Sequence, residues 1–415
     1  MATVIIGAGI IGTSTAYYLS RSPTTSADSI HLVESSPRLF ASASGYAGGF
    51  LAKDWFSSSV VSLGVLSFEL HAQLADQYGG RERWGYARST GLSLTDSGDG
   101  PEMDGKRGED WLFEGTSRAG VAATRESVGA KAPSWLTRQK GGKLETLSNG
   151  DTSAQMCNRG VHLHQPARVL SISTNLSSEL SSIRILENDI ETDIPCSRVV
   201  ITAGAWTPQV FSSLFPSSQT KIPISSLAGY SLLVRSPRWT ADTKMPTEEE
   251  RPKECHSVFT TTTDKPGFSP EIISRLGGEI WVGGLNSSTL PLPDVVATDS
   301  SSFSNLDLES INALKTVSTR LLGLPRKQEQ ENDLEILRTG VCFRPVTPRG
   351  QAIITRLGDE VLGGGVRTRE GKGGGLFIAA GHGPWGISLG PGTGRVLVEL
   401  IEGKPTSADV RGLGL

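Results

Sequence analysis

Short apolar runs that end in glycine alternate along this chain with longer stretches of helical spacing. Thr3–Ile6 is continuously apolar, the pattern of a strand buried on both faces. Gly7-Ala-Gly9-Ile-Ile-Gly12 follows, and Thr13–Leu19 reads as the start of a helix packed by small residues. Ile30–Val33 is a second apolar strand and runs into Glu34. Together these make a strand–helix–strand unit of about 30 residues. Ser57–Tyr78 has helical apolar spacing (Val61, Leu66, Phe68, Leu70, Leu74), and Gly79–Gly80 predicts its end. Arg198–Thr202 and Leu376–Ala380 are further apolar strands, each followed by a glycine-containing junction. Gly394–Ile401 predicts an amphipathic helix. The polar stretches 96–109, 240–254 and 286–305 predict surface loops. With strand–glycine-turn–helix patterns at both ends and β-rich sequence between, one nucleotide-binding domain is expected from separated segments. A second domain would cover it.

Composition narrows the function classes. The 415 residues carry 40 Lys+Arg against 43 Asp+Glu, a formal charge of −3, which argues against a nucleic-acid binder. The length allows about two domains. Gly, at 49 residues, is close to twice its average share of about 7%, so its positions carry information. Four cysteines (157, 196, 255, 342) without a C-x-x-C predict neither a disulfide framework nor a structural zinc site. His162 and His164 form an H-x-H with no partner cluster in sequence, so no metal is expected. MATVIIGAGIIG reads as an opening strand rather than a secretory signal, and no run of 18 apolar residues occurs. RGLGL is not a peroxisomal signal. A cytoplasmic protein without a membrane span is the expectation.

Five segments carry candidate chemistry. In G-x-G-x-x-G (Gly7, Gly9, Gly12), glycines let backbone amides approach a pyrophosphate at a helix N-terminus. Glu34, 22 positions beyond Gly12, would accept hydrogen bonds from a ribose diol and disfavour a 2′-phosphate. This motif does not separate FAD from NAD, although NAD alone leaves the C-terminal segments unexplained. Ser42–Lys53 packs small residues behind the ribose-binding strand, where Ser44 could reach a phosphate; a flexible loop is the plainer reading. Val199–Trp206 runs a strand into small residues that could pass close to a dinucleotide. In Thr339–Gly350, Arg344 next to Pro345 is a candidate carboxylate clamp, against the plainer reading of a surface arginine. Gly381–Gly394 is a second glycine-dense junction, where His382 is either structural or part of a site.

In this order GAGIIG with Glu34, SASGYAGGFLAKDW, VVITAGAW, CFRPVTPRG and GHGPWGISLGPGTG resemble the D-amino-acid oxidase/glycine oxidase/sarcosine oxidase superfamily of FAD-dependent oxidoreductases. Its fungal, cytosolic members are the nearest likeness, which runs from Thr3 to about Glu402. It implies a mixed α/β fold: a Rossmann-like FAD-binding domain of discontinuous segments (1–85, 150–225 and 335–415) and a substrate domain with a mostly antiparallel β-sheet (86–149 and 226–334).

By the same resemblance Gly7, Gly9, Ile11, Gly12 and Glu34 hold the ADP half of FAD, and Val169 lies near the adenine. Ala203, Gly204 and Trp206 lie on the pyrophosphate side. Ser44, Gly48 and Gly49 pass near the flavin, and Gly381, Gly383, Gly386 and Ile387 near its pyrimidine side. Arg344 and Lys53 would contact a substrate carboxylate, and His382 would tune protonation or oxygen reactivity. Cys342 falls where monomeric sarcosine oxidases bond the flavin covalently. Three departures stand out. Thr152–Asn158 leaves almost no room for a helix usual in the family, Arg349 replaces a common Asp, and Trp385 replaces a carboxylate-binding lysine. The implied activity is hydride transfer from an amine or amino acid to the flavin, with O₂ as acceptor. A dehydrogenase using another acceptor, or a flavin-retaining interaction protein, are the alternatives. A monomer is expected.

Overall fold

The computed structural model describes residues 2–96, 128–129, 132–136, 143–152, 161–239, 255–262, 268–294, 305–323, 333–369 and 373–415. The predicted loop 240–254, most of 96–109, and residues 153–158 of the shortened segment lie outside the described residues.

Two sheets organise the chain. The first contains β1 (Ala2–Ile6), β2 (Ile30–Val33), β7 (His162–His164), β10 (Ile190–Ile201), β17 (Ile353–Leu357) and β18 (Gly375–Ala380), in the order β17-β18-β10-β1-β2-β7. β18, β10, β1, β2 and β7 run parallel. β8 (Ala167–Thr174) and β9 (Leu180–Glu187) form a hairpin that continues antiparallel into β10. The continuous apolar character of β1 follows from its two covered faces. Ile5 packs with Leu19, Leu32, Val200 and Phe377 on one side, while Val4 and Ile6 pack with Val33, Val199 and Ile378 on the other.

The second sheet contains β3 (Phe50–Leu51), β4 (Ala87–Asp96), β5 (Val128–Gly129), β6 (Lys143–Thr152), β11 (Ser225–Arg235), β12 (Cys255–Thr262), β13 (Glu271–Arg275), β14 (Glu279–Gly283), β15 (Asn286–Ser287) and β16 (Glu335–Val346). Among these strands only β4 and β12 pair in parallel; the sheet is otherwise antiparallel. The fold is therefore the mixed α/β arrangement expected.

β16 marks a difference from the sequence reading. Grouped there with the FAD-binding segments, it pairs along its whole length with β11 in the second sheet. A strand crossing between layers leaves no break in composition to mark it. Of the expected loop 286–305, Asn286–Ser287 is the short strand β15 and Asn305 opens a helix.

Among the described residues the α-helices are α1 (Ile10–Ser20), α2 (Ala43–Tyr46), α3 (Val61–Tyr78), α4 (Gly80–Trp84), α5 (Thr207–Leu214), α6 (Asn305–Leu322) and α7 (Gly386–Ile401). Gly79, at φ +64°, ends α3 as expected, but Gly80 opens α4. α7 starts eight residues before the expected helix and runs through Gly390-Pro391-Gly392-Thr393-Gly394. Its glycines serve close packing. A Cβ on Gly394 would lie 2.6 Å from the Ser14 carbonyl carbon in α1, and one on Gly392 would lie 2.8 Å from Ser67 Cβ in α3. α1, α3 and α7 thus form the tight layer that brings the α1 and α7 N-termini to the same end of the first sheet.

The H-x-H motif does have a partner. His31 on β2 stacks on His162 (4.9 Å between centroids) and bonds His164 (Nδ1 to Nε2, 3.0 Å), while His164 Nδ1 meets Glu187 Oε2 at 2.9 Å. No group of three or more His, Cys, Asp or Glu that could hold a metal ion occurs among the described residues. No helix of the described residues is long and apolar enough to cross a membrane.

Candidate active site

The glycine turn after β1 is built for close backbone approach. Gly7 has φ +102°, and a Cβ there would sit 2.7 Å from the Thr202 carbonyl oxygen. A Cβ on Gly12 would lie 1.9 Å from the Gly7 oxygen. The ends of β1 and β10 are pinned together by Thr202, whose hydroxyl donates to Ile6 O and Gly7 O, both at 2.9 Å. Glu34 closes the turn from β2: Oε2 accepts the Ala8 amide and Oε1 the Ser36 amide, each at 2.8 Å. Burial pushes the Glu34 carboxyl up from its ordinary value, opposed by these amides. The Ser35 amide also acts on this carboxylate, whose two oxygens have about four acceptor sites between them. At the start of α1, Ser44 Oγ accepts the Ile10 amide at 3.0 Å. The Ile11 and Gly12 amides have no acceptor within the helix, as at any helix N-terminus.

A cavity of about 510 Å³ opens above this turn, within the range of small-molecule and cofactor sites. Its wall includes Gly7, Gly9, Ile11, Glu34, Ser44, Val169, Ala203, Gly204 and Trp206 at one end. Cys342, Arg344, His382, Gly383, Gly386 and Ile387 also line it. Cavity, glycine turn, helix N-terminus and buried diol acceptor together fit the ADP half of FAD.

Six other sequence-predicted residues do not line it. Gly12 supports the turn from behind. Gly48 packs on the second sheet, where a Cβ would meet Ile273 Cδ1 at 2.4 Å, and Gly381 (φ +81°) packs on Thr347. Gly49 (φ +95°) leads into β3. Lys53 is half-exposed, with its ammonium 3.5 Å from Glu69 Oε1. Trp385 is buried edge-on against Phe56, 5.0 Å between ring centroids, inside the α1–α3–α7 core. The chain lines the cavity up to Ala47, and the short strand β3 (Phe50–Leu51) lies between that point and Lys53.

A further part of the wall comes from β16, through Cys342 to Pro345. Arg344 lies flat over Gly229 of β11, where a Cβ would stand 2.7 Å from the guanidinium carbon. Its Nη1 donates to Asn286 Oδ1 on β15. No carboxylate pairs with Arg344 among the described residues. The cavity wall thus holds a positioned cation with no ion-pair partner among the described residues, and Asp294 lines the same cavity. Cys342, two residues back on the same face, has a buried thiol pushed up by desolvation, with Arg344 and Arg338 acting the other way. His382 Nε2 meets Thr393 Oγ1 at 3.1 Å, and burial pushes the ring down to about 4, so it is neutral at pH 7.

Sequence reasoning missed Asn286, Gly229, Tyr46 and Trp281. A glycine inside an apolar strand, as in Leu227-Ala-Gly229-Tyr-Ser, is the signal that could have flagged a close approach.

This fold and site define an FAD-dependent oxidoreductase. The chain belongs to the DAO family, FAD dependent oxidoreductase, whose pattern matches residues 2–400. Among its relatives is the Schizosaccharomyces pombe protein C1F5.03c, which carries the name of an oxidoreductase. The two are 27% identical over 98% of this chain and 96% of that protein. Among solved structures, glycine oxidase from Geobacillus kaustophilus superposes with a TM-score of 0.65 at 18% identity, covering 100% of this chain and 97% of that one. L-proline dehydrogenase from P. horikoshii gives 0.63 at 15%, covering 100% and 96%.

Proposed function

We propose that the chain oxidises the C–N bond of an amino acid or carboxylate-bearing amine, with O₂ as the electron acceptor. The observation that carries this reading is Arg344: a cation in the cavity wall, fixed by Gly229 and Asn286, with no acidic partner among the described residues. A guanidinium so held binds a carboxylate in its fork and orients the α-carbon. Bound FAD supplies the hydride acceptor and hands the electron pair on. Glu34 takes the ribose diol, and the amides at the start of α1 take the pyrophosphate. The imine product hydrolyses in water.

In the described wall His382 is tied to Thr393 and Glu34 accepts the Ala8 and Ser36 amides, while Lys53 sits outside; Asp294 is a further carboxylate in that wall. The reacting amine is the neutral form, so turnover is expected to rise with pH toward the substrate's own amine pKa. The test is an anaerobic panel of amino acids and secondary amines added to the yellow protein. Bleaching by carboxylate-bearing amines, and recovery of colour with stoichiometric peroxide on admitting air, is expected. Bleaching with recovery only on adding an artificial acceptor would replace the oxidase reading with a dehydrogenase. No bleaching across the panel would sink the C–N oxidation reading.

The Cys342 thiol, held protonated by burial, is a poor nucleophile at neutral pH. Acid precipitation is therefore expected to release the yellow colour to the supernatant. Colour that stays with the pellet and is lost in Cys342→Ser would instead establish a thioether.

A further inference from the structure

Four consecutive carbonyls in the segment that ends α2 are held by side chains of the second sheet. Gly45 O accepts from Arg338 Nη1 at 3.0 Å, and Tyr46 O from Trp281 Nε1 at 2.9 Å. Ala47 O accepts from Arg275 Nη2 at 2.6 Å, and Gly48 O from Arg275 Nε and Nη2 at 3.2 and 3.1 Å. The donors come from three strands: β13 (Arg275), β14 (Trp281) and β16 (Arg338). In a trans peptide the N–H points opposite to the C=O. The amides of 46–49 therefore turn away from the second sheet. Tyr46, Ala47 and Trp281 all line the cavity. The fit is close, because a Cβ on Gly48 would strike Ile273 at 2.4 Å and the Trp281 ring at 2.9 Å.

The two arginines do more than hold the segment. The Arg338 guanidinium lies 4.6 Å from the centre of the Tyr46 ring, and its Nη2 is buried without a hydrogen-bond partner. Gly340, two residues along β16, leaves the space for that ring; a Cβ there would stand 2.2 Å from it. Neither Arg275 nor Arg338 has an acid within ion-pair distance among the described residues; Glu279 acts on both from further away. Burial pushes Arg275 down to about 10, which leaves it charged at neutral pH. Arg38 adds a third cation, with Nη2 3.0 Å from the Tyr46 hydroxyl. Both arginines are partly buried with no acid in ion-pair distance among the described residues, so the cost of their lost hydration is left partly uncompensated. Negative charge arriving in the adjacent cavity would offset that cost.

We propose that Arg275, Trp281 and Arg338 are positioning residues that hold segment 45–48 against bound FAD and set up a positive field favouring negative charge on its ring. The proposal rests on the reading that FAD fills this cavity.

Sulfite is the probe for the field. Its sulfur lone pair forms a bond to flavin N5 and the ring takes up the negative charge, so its affinity reports the field without any substrate. In the holoenzyme Arg338→Met is expected to weaken sulfite binding tenfold or more, with unchanged far-UV circular dichroism. Arg338→Lys, which keeps the charge, should come back to within threefold of the parent. Sulfite affinity unchanged in a folded Arg338→Met protein overturns the field. Hydrogen exchange reads the holding role. Arg275→Met should speed exchange across residues 45–50 at least tenfold, and Arg275→Lys, with one donor in place of a fork, should do so partly. Should Arg275→Met fail to fold, Arg275→Lys decides alone, and parent-like exchange in it overturns the holding role. A parent protein that takes up no FAD would instead refute the cofactor reading, while exchange in the apoprotein still decides the clamp.

Discussion

Arg344→Ala is expected to lower kcat/KM for amino-acid substrates by about a hundredfold or more, while the protein keeps its FAD. The size follows from what the guanidinium does. A charge-assisted fork on a carboxylate in a water-poor wall is worth roughly 3 kcal/mol, which is a factor of about a hundred. The loss belongs to substrates that carry the carboxylate. An amine of the same shape without that group should change by no more than about threefold between parent and variant. Arg344→Lys should recover only part of the rate, because a point charge does not reproduce the fork. Gly229→Val tests the same wall from behind. The new side chain occupies the space in which the guanidinium lies, where even a Cβ would be 2.7 Å from its central carbon, so it should raise KM without touching Arg344 itself. Equal kcat/KM for parent and Arg344→Ala would remove the clamp and with it the carboxylate preference. A uniform fall for carboxylate and non-carboxylate amines would point to general disruption of the cavity.

The parts of this site that were legible in the sequence are those where one backbone constraint dictates one residue. Gly7, Gly12 and Glu34 are of that kind. The turn after β1 tolerates no Cβ, and the carboxylate that accepts the Ala8 amide follows directly on the next parallel strand. Arg344 was legible because an arginine beside a proline in a glycine-bounded stretch has few structural duties. Lys53 and Trp385 were misplaced for a different reason. Their neighbours in sequence do line the cavity or support it, but a two-residue strand and a helix start turn the chain within a few residues. Side-chain direction at such a corner depends on packing partners far away in sequence: Glu69 for Lys53, Phe56 for Trp385. The same holds for β16, whose partner β11 lies about a hundred residues upstream. The arginines that hold segment 45–48 were invisible because nothing in a strand's own pattern says that its side chains will satisfy another segment's carbonyls.

Acid is expected to unfold this protein and release its flavin well above the range in which its carboxylates protonate. His71 and His382 are both buried, and burial pushes each down to about 4. In the unfolded chain a histidine titrates near 6.5. A folded value below the unfolded one means that the unfolded chain binds more protons between the two, so stability falls as pH drops from about 6.5 to about 4. Two such groups give a slope of roughly 3 kcal/mol per pH unit in that window, against a total of about 5–15 for an ordinary domain. His31, also pushed down to about 4 but less buried, adds in the same direction. Glu34, pushed up by burial, works against them, since protonation as pH falls relieves the cost of burying its charge. The two buried histidines also share a location. His71 Nε2 donates to Ile387 O at 2.9 Å, and His382 bonds Thr393, so both brace the first turns of α7, where Ile387 and Gly386 line the cavity. Protonating either ring puts an unsolvated charge behind the cofactor wall, so flavin fluorescence should rise at or before the loss of circular dichroism as pH is lowered. His71→Gln and His382→Gln each should flatten the pH dependence of Tm between 6.5 and 4.5 by about half, even where they lower Tm at pH 7. A parent Tm that stays level across that window would show that these rings do not hold their neutral form against the solvent.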